Sequence, residues 1–212
     1  MIILPTLRRP HLLKQFIQAY HKTEATLPIC VVLDANDARN YDSVVLPAHW
    51  QKTIVPLGTK LDGIYIHLVQ TVPDAPYYAM IGDDVRPESL HWDITMRDAC
   101  LPDKIVWGWD SIQNEKLPTH PFIGGDLVRR LGWFAAPGMK QYFVDNVWKN
   151  LADKLGCGVY LPDVKMRHCH YLNGDRQRDR TDDEAPSMSN DERAYYHFMN
   201  NDFAAAVARA QK

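Results

Sequence analysis

The chain has 212 residues, with 24 Lys+Arg against 26 Asp+Glu for a formal net charge of −2, and is 46% hydrophobic and 10% aromatic. That length suits one domain of about 100–200 residues, and the charge balance excludes a binder whose affinity for nucleic acid or a membrane surface comes from bulk positive charge. No stretch approaches the roughly 18–20 consecutive apolar residues that span a bilayer. The first residues lack a signal-peptide pattern, and Cys30, Cys100, Cys157 and Cys169 form no CxxC pair, so a cytoplasmic protein with reduced thiols and no membrane partner is expected.

Met1-Ile-Ile-Leu4 is a short apolar run of the kind found in a strand covered on both faces. Pro10 can open a helix, and Leu12, Leu13, Phe16, Ile17 and Tyr20 recur at helical spacing behind it. Ile29–Leu33 and Thr53–Val55 read as further strands, and Leu61, Ile64, Tyr65, Leu68 and Val72 as one apolar helix face. Tyr77–Ile81 is a buried strand ending in Gly82-Asp83-Asp84, and Lys104–Trp109 is another. Strands alternating with helices predict an α/β fold, a mostly parallel sheet flanked by helices.

After residue 110 the pattern changes. Phe122-Ile-Gly-Gly125 is glycine-rich, Phe143, Val147, Trp148, Leu151 and Leu155 mark a helix stopped by Gly156, and Val159–Met166 reads as a strand. Residues 173–193 are crowded with Asp, Arg, Ser and Gly and predict a mobile lid loop. Ser189-Asn-Asp-Glu192 has the form of a capping box, opening a last helix with Tyr195, Phe198, Met199, Phe203 and Val207. Neither repeat nor linker divides the chain, so 1–212 is one domain.

Ligands of an open parallel sheet bind at the carboxyl ends of its strands. There the sequence places Thr6, Arg8 and Arg9, then Asp34 and Asn36, then Asp83 and Asp84, then His168 and His170. The GxGxxG and GxxxxGK[ST] phosphate loops are missing. Adjacent carboxylates behind a buried strand repel and resist desolvation. A divalent cation, Mg²⁺ or Mn²⁺, removes that cost, with His168 or His170 completing a Mn²⁺ shell; a solvated Asp-Asp turn is the alternative. Gly124 and Gly125 would let backbone approach a bound ligand closely, or else form a turn before a helix.

Ile3-Leu-Pro-Thr-Leu-Arg-Arg-Pro10, Val31–Asp34, Met80-Ile-Gly-Asp-Asp-Val85, Phe122–Gly125, Asp145-Asn146 and His168-Cys-His170 together resemble the GT-A glycosyltransferases, in particular inverting family 2, over roughly residues 1–172. The resemblance implies a Rossmann-like GT-A sheet that binds a nucleoside-diphosphate sugar, such as a UDP- or GDP-sugar, with a divalent metal. It implies a nucleotide-sugar-binding half at 1–110, an acceptor half at 111–172, and a flexible lid with a C-terminal helix at 173–212. Thr6, Arg8, Asp34 and Asp83 would then contact the donor, Asp84 would ligate metal with His168 or His170, and Asp145 would be the general base. Val144-Asp145-Asn146 departs from the Glu-Asp often found at that place. Arg176, Arg178 and Arg180 would be candidate diphosphate clamps. The implied acceptor is a hydroxyl of a glycan or of a hydroxymethylated DNA base, as in compact bacteriophage versions. Competing readings are a nucleotidyltransferase, against which the absence of a glycine-rich first loop counts, and a non-catalytic sugar- or nucleotide-binding module.

Overall fold

The computed structural model describes residues 1–185 and 187–212. Among these, the strands are β1 (Ile2–Thr6), β2 (Ile29–Asp34), β3 (Gln51–Val55), β4 (Tyr77–Met80), β5 (Val85–Pro87), β6 (Ile105–Trp109), β7 (Phe122–Gly124) and β8 (Gly158–His168). The helices are α1 (Pro10–Lys22), α2 (Leu61–Thr71), α3 (Trp92–Cys100), α4 (Gly125–Leu131), α5 (Val144–Leu155), α6 (Arg180–Asp183), α7 (Met188–Asn201) and α8 (Phe203–Ala210). The strands form one sheet in the order β3-β2-β1-β4-β7-β6-β8-β5.

Alternate residues of the central strands feed two cores, one on each face of the sheet. Ile2, Leu4, Val31 and Leu33 pack with Phe16 and Tyr20 of α1 and Trp92 and Met96 of α3. Ile3, Val32, Tyr78 and Ile123 pack instead with Tyr65 of α2, Trp148 of α5 and Phe198 of α7. Period-two alternation into two apolar layers is why these strands read as unbroken hydrophobic runs. Each fully buried large side chain contributes about 1.5–3 kcal/mol relative to exposure.

The sheet is mixed, with parallel pairings in the majority. β1–β2, β1–β4, β2–β3 and β6–β8 pair parallel, while β7 runs antiparallel to both β4 and β6, and β5 antiparallel to β8. The glycine-rich stretch is thus a strand followed directly by α4. The box expected at Ser189–Glu192 also resolves differently. α7 starts two residues earlier, with Ser187 at its N-cap, and Asp191 turns inward to accept the backbone N–H of Gln141 and of Tyr142, each at 2.8 Å. The capping box that forms is Asp179 with Asp182, at α6. Residues 173–193 therefore contain α6 and the start of α7 rather than irregular chain alone. No described helix is long and apolar enough to cross a membrane.

Gly125 has no room for a side chain: a Cβ there would lie 2.0 Å from the Ala75 carbonyl oxygen. Gly156, in the left-handed region at φ 64° after α5, faces open space. Gly125→Ala should therefore destabilise by roughly 3 kcal/mol or more, lowering Tm by about 6–12 °C, whereas Gly156→Ala should cost only about 1–2 kcal/mol of backbone strain. Thermal melts of the two variants check the ranking.

Candidate active site

Four strand ends converge where the sheet rule places them. β1 delivers Thr6, β2 delivers Asp34, the turn between β4 and β5 delivers Asp83 and Asp84, and β8 ends at His168. All five line a cavity of about 360 Å³ together with Arg8 and Arg9. Its apolar floor includes Val32, Val55 and Ile64.

The acidic pair is buried and held from several sides. Thr6 Oγ1 donates to Asp83 Oδ2 at 2.6 Å and also lies 2.8 Å from the Tyr41 hydroxyl. Arg9 Nη1 stands 3.6 Å from Asp83 Oδ1. His168 Nε2 is 3.5 Å from Asp84 Oδ1, and Arg176 Nη2 is 3.7 Å from Asp84 Oδ2. A Cβ at residue 82 would fall 2.7 Å from Asp84 Oδ1, so glycine there makes room for the carboxylate. The two acids divide their titration. Burial and the neighbouring charge of Asp84 push the Asp83 carboxyl up, while His168, His120 and Arg9 overcome burial and hold Asp84 well below the usual carboxylate range. Burial opposes charge on His168, yet its contact with Asp84 raises it above an ordinary imidazole.

Asp34 has a structural duty as well as its place in the cavity wall. Its two oxygens accept the N–H of Asn36 at 2.9 Å and of Gly58 at 2.8 Å, fixing the turn after β3. Arg8 adopts φ 58°, strained for a residue with a side chain. Its N–H donates to Asp37, and its guanidinium pairs with Glu184.

A second cavity, of about 340 Å³, contains Asp145 near the start of α5 and has Tyr65, Phe134 and Trp148 in its walls. Met80 and Gln141 line both cavities, so the two spaces meet there, and the Tyr65 hydroxyl donates to Met80 Sδ. Asp145 Oδ1 accepts the Asn146 N–H at 2.9 Å. Burial raises its carboxyl above the ordinary range. Phe143, at φ 66°, is a second strained residue, on the wall of this cavity. Asp110, behind the wall, fixes the loop that carries Gln113 and Thr119 by accepting the N–H groups of Ile112, Gln113 and Asn114 and the Thr119 hydroxyl.

Gly124 and Gly125 are not brought to either cavity. Gly124 pairs with Tyr77, at the end of β4 opposite to the acidic turn. Cβ atoms on the two glycines would strike the backbone of Pro102–Asp103 and of Ala75–Pro76, so close chain packing, not sugar contact, explains them. His170 is also turned aside, its Nδ1 capping the 3-10 turn Tyr171–Asn173 by accepting the Leu172 N–H at 3.3 Å. Sequence reasoning missed His120, whose ring lies 5.0 Å from that of His168 and whose two nitrogens are buried without a hydrogen-bond partner among the described residues. It also gave no role to Arg9, although Arg9 stands in the same motif as Arg8.

The donor set allows a two-point hold on a divalent cation. Asp84 Oδ1 and His168 Nε2, 3.5 Å apart, have the separation of two neighbouring ligands each about 2.1 Å from one ion. Among the described residues no group of three or more His, Cys, Asp or Glu side chains converges as a cage. An ion here would complete its shell with water and substrate oxygens.

No protein-family model and no curated protein sequence matches the chain. Among solved structures, the crystal structure of S. aureus TarS superposes with a TM-score of 0.52 at 12% identity, over 78% of this chain. The chain spans 35% of the length of that structure. The shared feature is the fold: an α/β sheet of the GT-A type flanked by helices.

Proposed function

We propose that the protein is an inverting glycosyltransferase that moves a sugar from a nucleoside diphosphate to a hydroxyl of a saccharide acceptor. The observation that carries the reading is the pair of cavities meeting at Met80 and Gln141, one lined by arginine and paired aspartates, the other by aromatic rings and a buried carboxylate. The fold adds support, since its structural neighbour is a glycosyltransferase.

In this reading the donor's diphosphate lies against Arg8, Arg9 and His168, and the nucleoside over Val32 and Val55. The acceptor sugar lies beside Asp145 in the second cavity, which Tyr65, Phe134 and Trp148 help to wall. Asp145 takes the proton from the acceptor hydroxyl as its oxygen attacks the anomeric carbon. The bond from that carbon to the diphosphate oxygen breaks, the nucleoside diphosphate leaves with the electron pair, and the configuration inverts. A cation held by Asp84 and His168 would supply charge stabilisation on the leaving diphosphate. Arginines aimed at the same oxygens stabilise that charge by direct hydrogen bonds. A base held above the usual carboxylate range is better matched to neutral pH than an exposed aspartate.

Incubation with UDP- and GDP-sugars, Mn²⁺ and a panel of saccharides should release nucleoside diphosphate. Release of pyrophosphate would indicate nucleotidyl transfer, and saturable binding without turnover a binding module. Asp145→Asn should lower kcat by about 10²–10⁴ with donor affinity unchanged; near-normal turnover would place the base elsewhere.

The same substitution carries a stability signature of opposite sign. A carboxyl whose folded pKa is raised above its ordinary 3.8 favours the folded state most when protonated, so wild-type stability falls as pH rises from 3.8 through the folded value. Asp145→Asn removes that loss. Its Tm should match the wild type at pH 3.5 and exceed it at pH 7, and equal values at pH 7 would count against a costly buried charge.

A further inference from the structure

The arginines in the donor cavity, Arg8 and Arg9, and Arg176 beside it at 3.7 Å from Asp84, are already occupied. Arg9, whose side chain is 10% exposed, donates Nε to Asp179 Oδ2 at 2.8 Å and Nη2 to Asp182 Oδ1 at 2.5 Å. Arg176, equally buried, holds Asp182 through Nη1 at 2.6 Å and Nη2 at 2.7 Å. Arg8 pairs with Glu184. Thr181, Glu184 and Ala185 belong to the cavity wall itself. Planar carboxylates and phosphates present oxygen pairs that match the guanidinium fork in the same way.

The segment that supplies these carboxylates is fastened by polar contacts. α6 buries none of its residues. Its anchors to the body are the ion pairs and a hydrogen bond from Thr181 Oγ1 to the Leu7 carbonyl at 2.9 Å. The pairs form one network, in which Asp83, Asp84, Asp179, Asp182 and Glu184 face Arg8, Arg9, Arg176 and His168.

We propose that residues 179–184 form an autoinhibitory plug, whose Asp182 and Glu184 occupy Arg8, Arg9 and Arg176 in place of a diphosphate and are expelled when one binds. This rests on reading the cavity as a nucleotide-sugar site. A segment held by charge opens at low cost compared with one anchored in a core, so an incoming polyanion exchanges one set of arginine contacts for another. A brace, by contrast, would hold the arginines in place for the donor and tighten on binding.

The test titrates inorganic pyrophosphate, without metal, into the wild type and three single variants by calorimetry. Asp182→Asn and Glu184→Gln should bind it about tenfold more tightly. Asp183→Asn removes the same charge one residue away but contacts Arg178 alone among the arginines, and should stay within about twofold of wild type. In wild type, pyrophosphate should speed amide hydrogen exchange across 179–184. Asp182→Asn and Glu184→Gln binding no tighter than Asp183→Asn, slower exchange in that segment, or no pyrophosphate binding by any of the four proteins would overturn the plug. Tighter binding by the two variants without turnover of any nucleotide sugar would leave the plug standing and remove the proposed reaction. Turnover with unchanged pyrophosphate affinity would do the reverse.

Discussion

The structure is organised around the cost of two adjacent carboxylates at the end of a buried strand. Side by side, with side chains 6% and 12% exposed, Asp83 and Asp84 cannot both be ionised without nearby cations or hydrogen donors. The compensation comes from distant parts of the chain: Thr6 and Arg9 after β1, His168 at the end of β8, and Arg176 beyond it. Each of these groups must be placed within a few ångströms of the pair. The acidic turn thereby ties the first loop, the last strand and the segment after it into one arrangement. A like-charged pair with no such partners would cost several kcal/mol per ion.

How far the sequence disclosed this arrangement depends on the kind of signal each part carries. β1, β2 and β4 are continuous apolar runs whose residues alternate between two cores, and the helices α1, α2 and α5 carry clear apolar stripes, so their positions could be read directly. β5 and β7 are three residues each, too short for any period. The antiparallel insertion of β7 between β4 and β6 is a tertiary pairing that leaves no local mark. Thr6, Arg8, Asp34, Asp83, Asp84 and His168 could be assembled because each follows a recognisable strand. Gly124 and Gly125 misled because glycine permits close approach of any backbone, and here that backbone is the protein's own.

The segment around α6 shows the limit of composition. Poor in apolar residues and rich in Asp and Arg, it reads as loop, since hydrophobic periodicity is the signal that sequence reasoning weighs most. Its structure comes instead from pairing over very long separations, 170 residues between Arg9 and Asp179 and 173 between Arg9 and Asp182. Such pairs have no spacing rule. The local contacts, the Arg176–Asp182 and Arg180–Glu184 pairs and the Asp179–Asp182 box, carry no apolar signal, and both residues of the box are aspartate, outside the usual Ser/Thr with Glu pattern.

The two cavities place different demands on the same sheet. The first concentrates charge, and its carboxylates share their arginines with the chain's own α6. The second isolates one carboxyl, Asp145, among aromatic rings, where among the described residues no arginine or lysine pairs with it and burial, aided by the charge of Asp110, raises its affinity for a proton. In the proposed reading, setting them back to back at Met80 and Gln141 leaves burial dominant at the base Asp145, whose proton affinity the charge of His168 lowers only in part. A phosphate-binding site wants cations close and dry, whereas a base wants its proton affinity undiminished. Two chambers with a shared wall satisfy both conditions, and a single merged pocket of the same residues would satisfy neither.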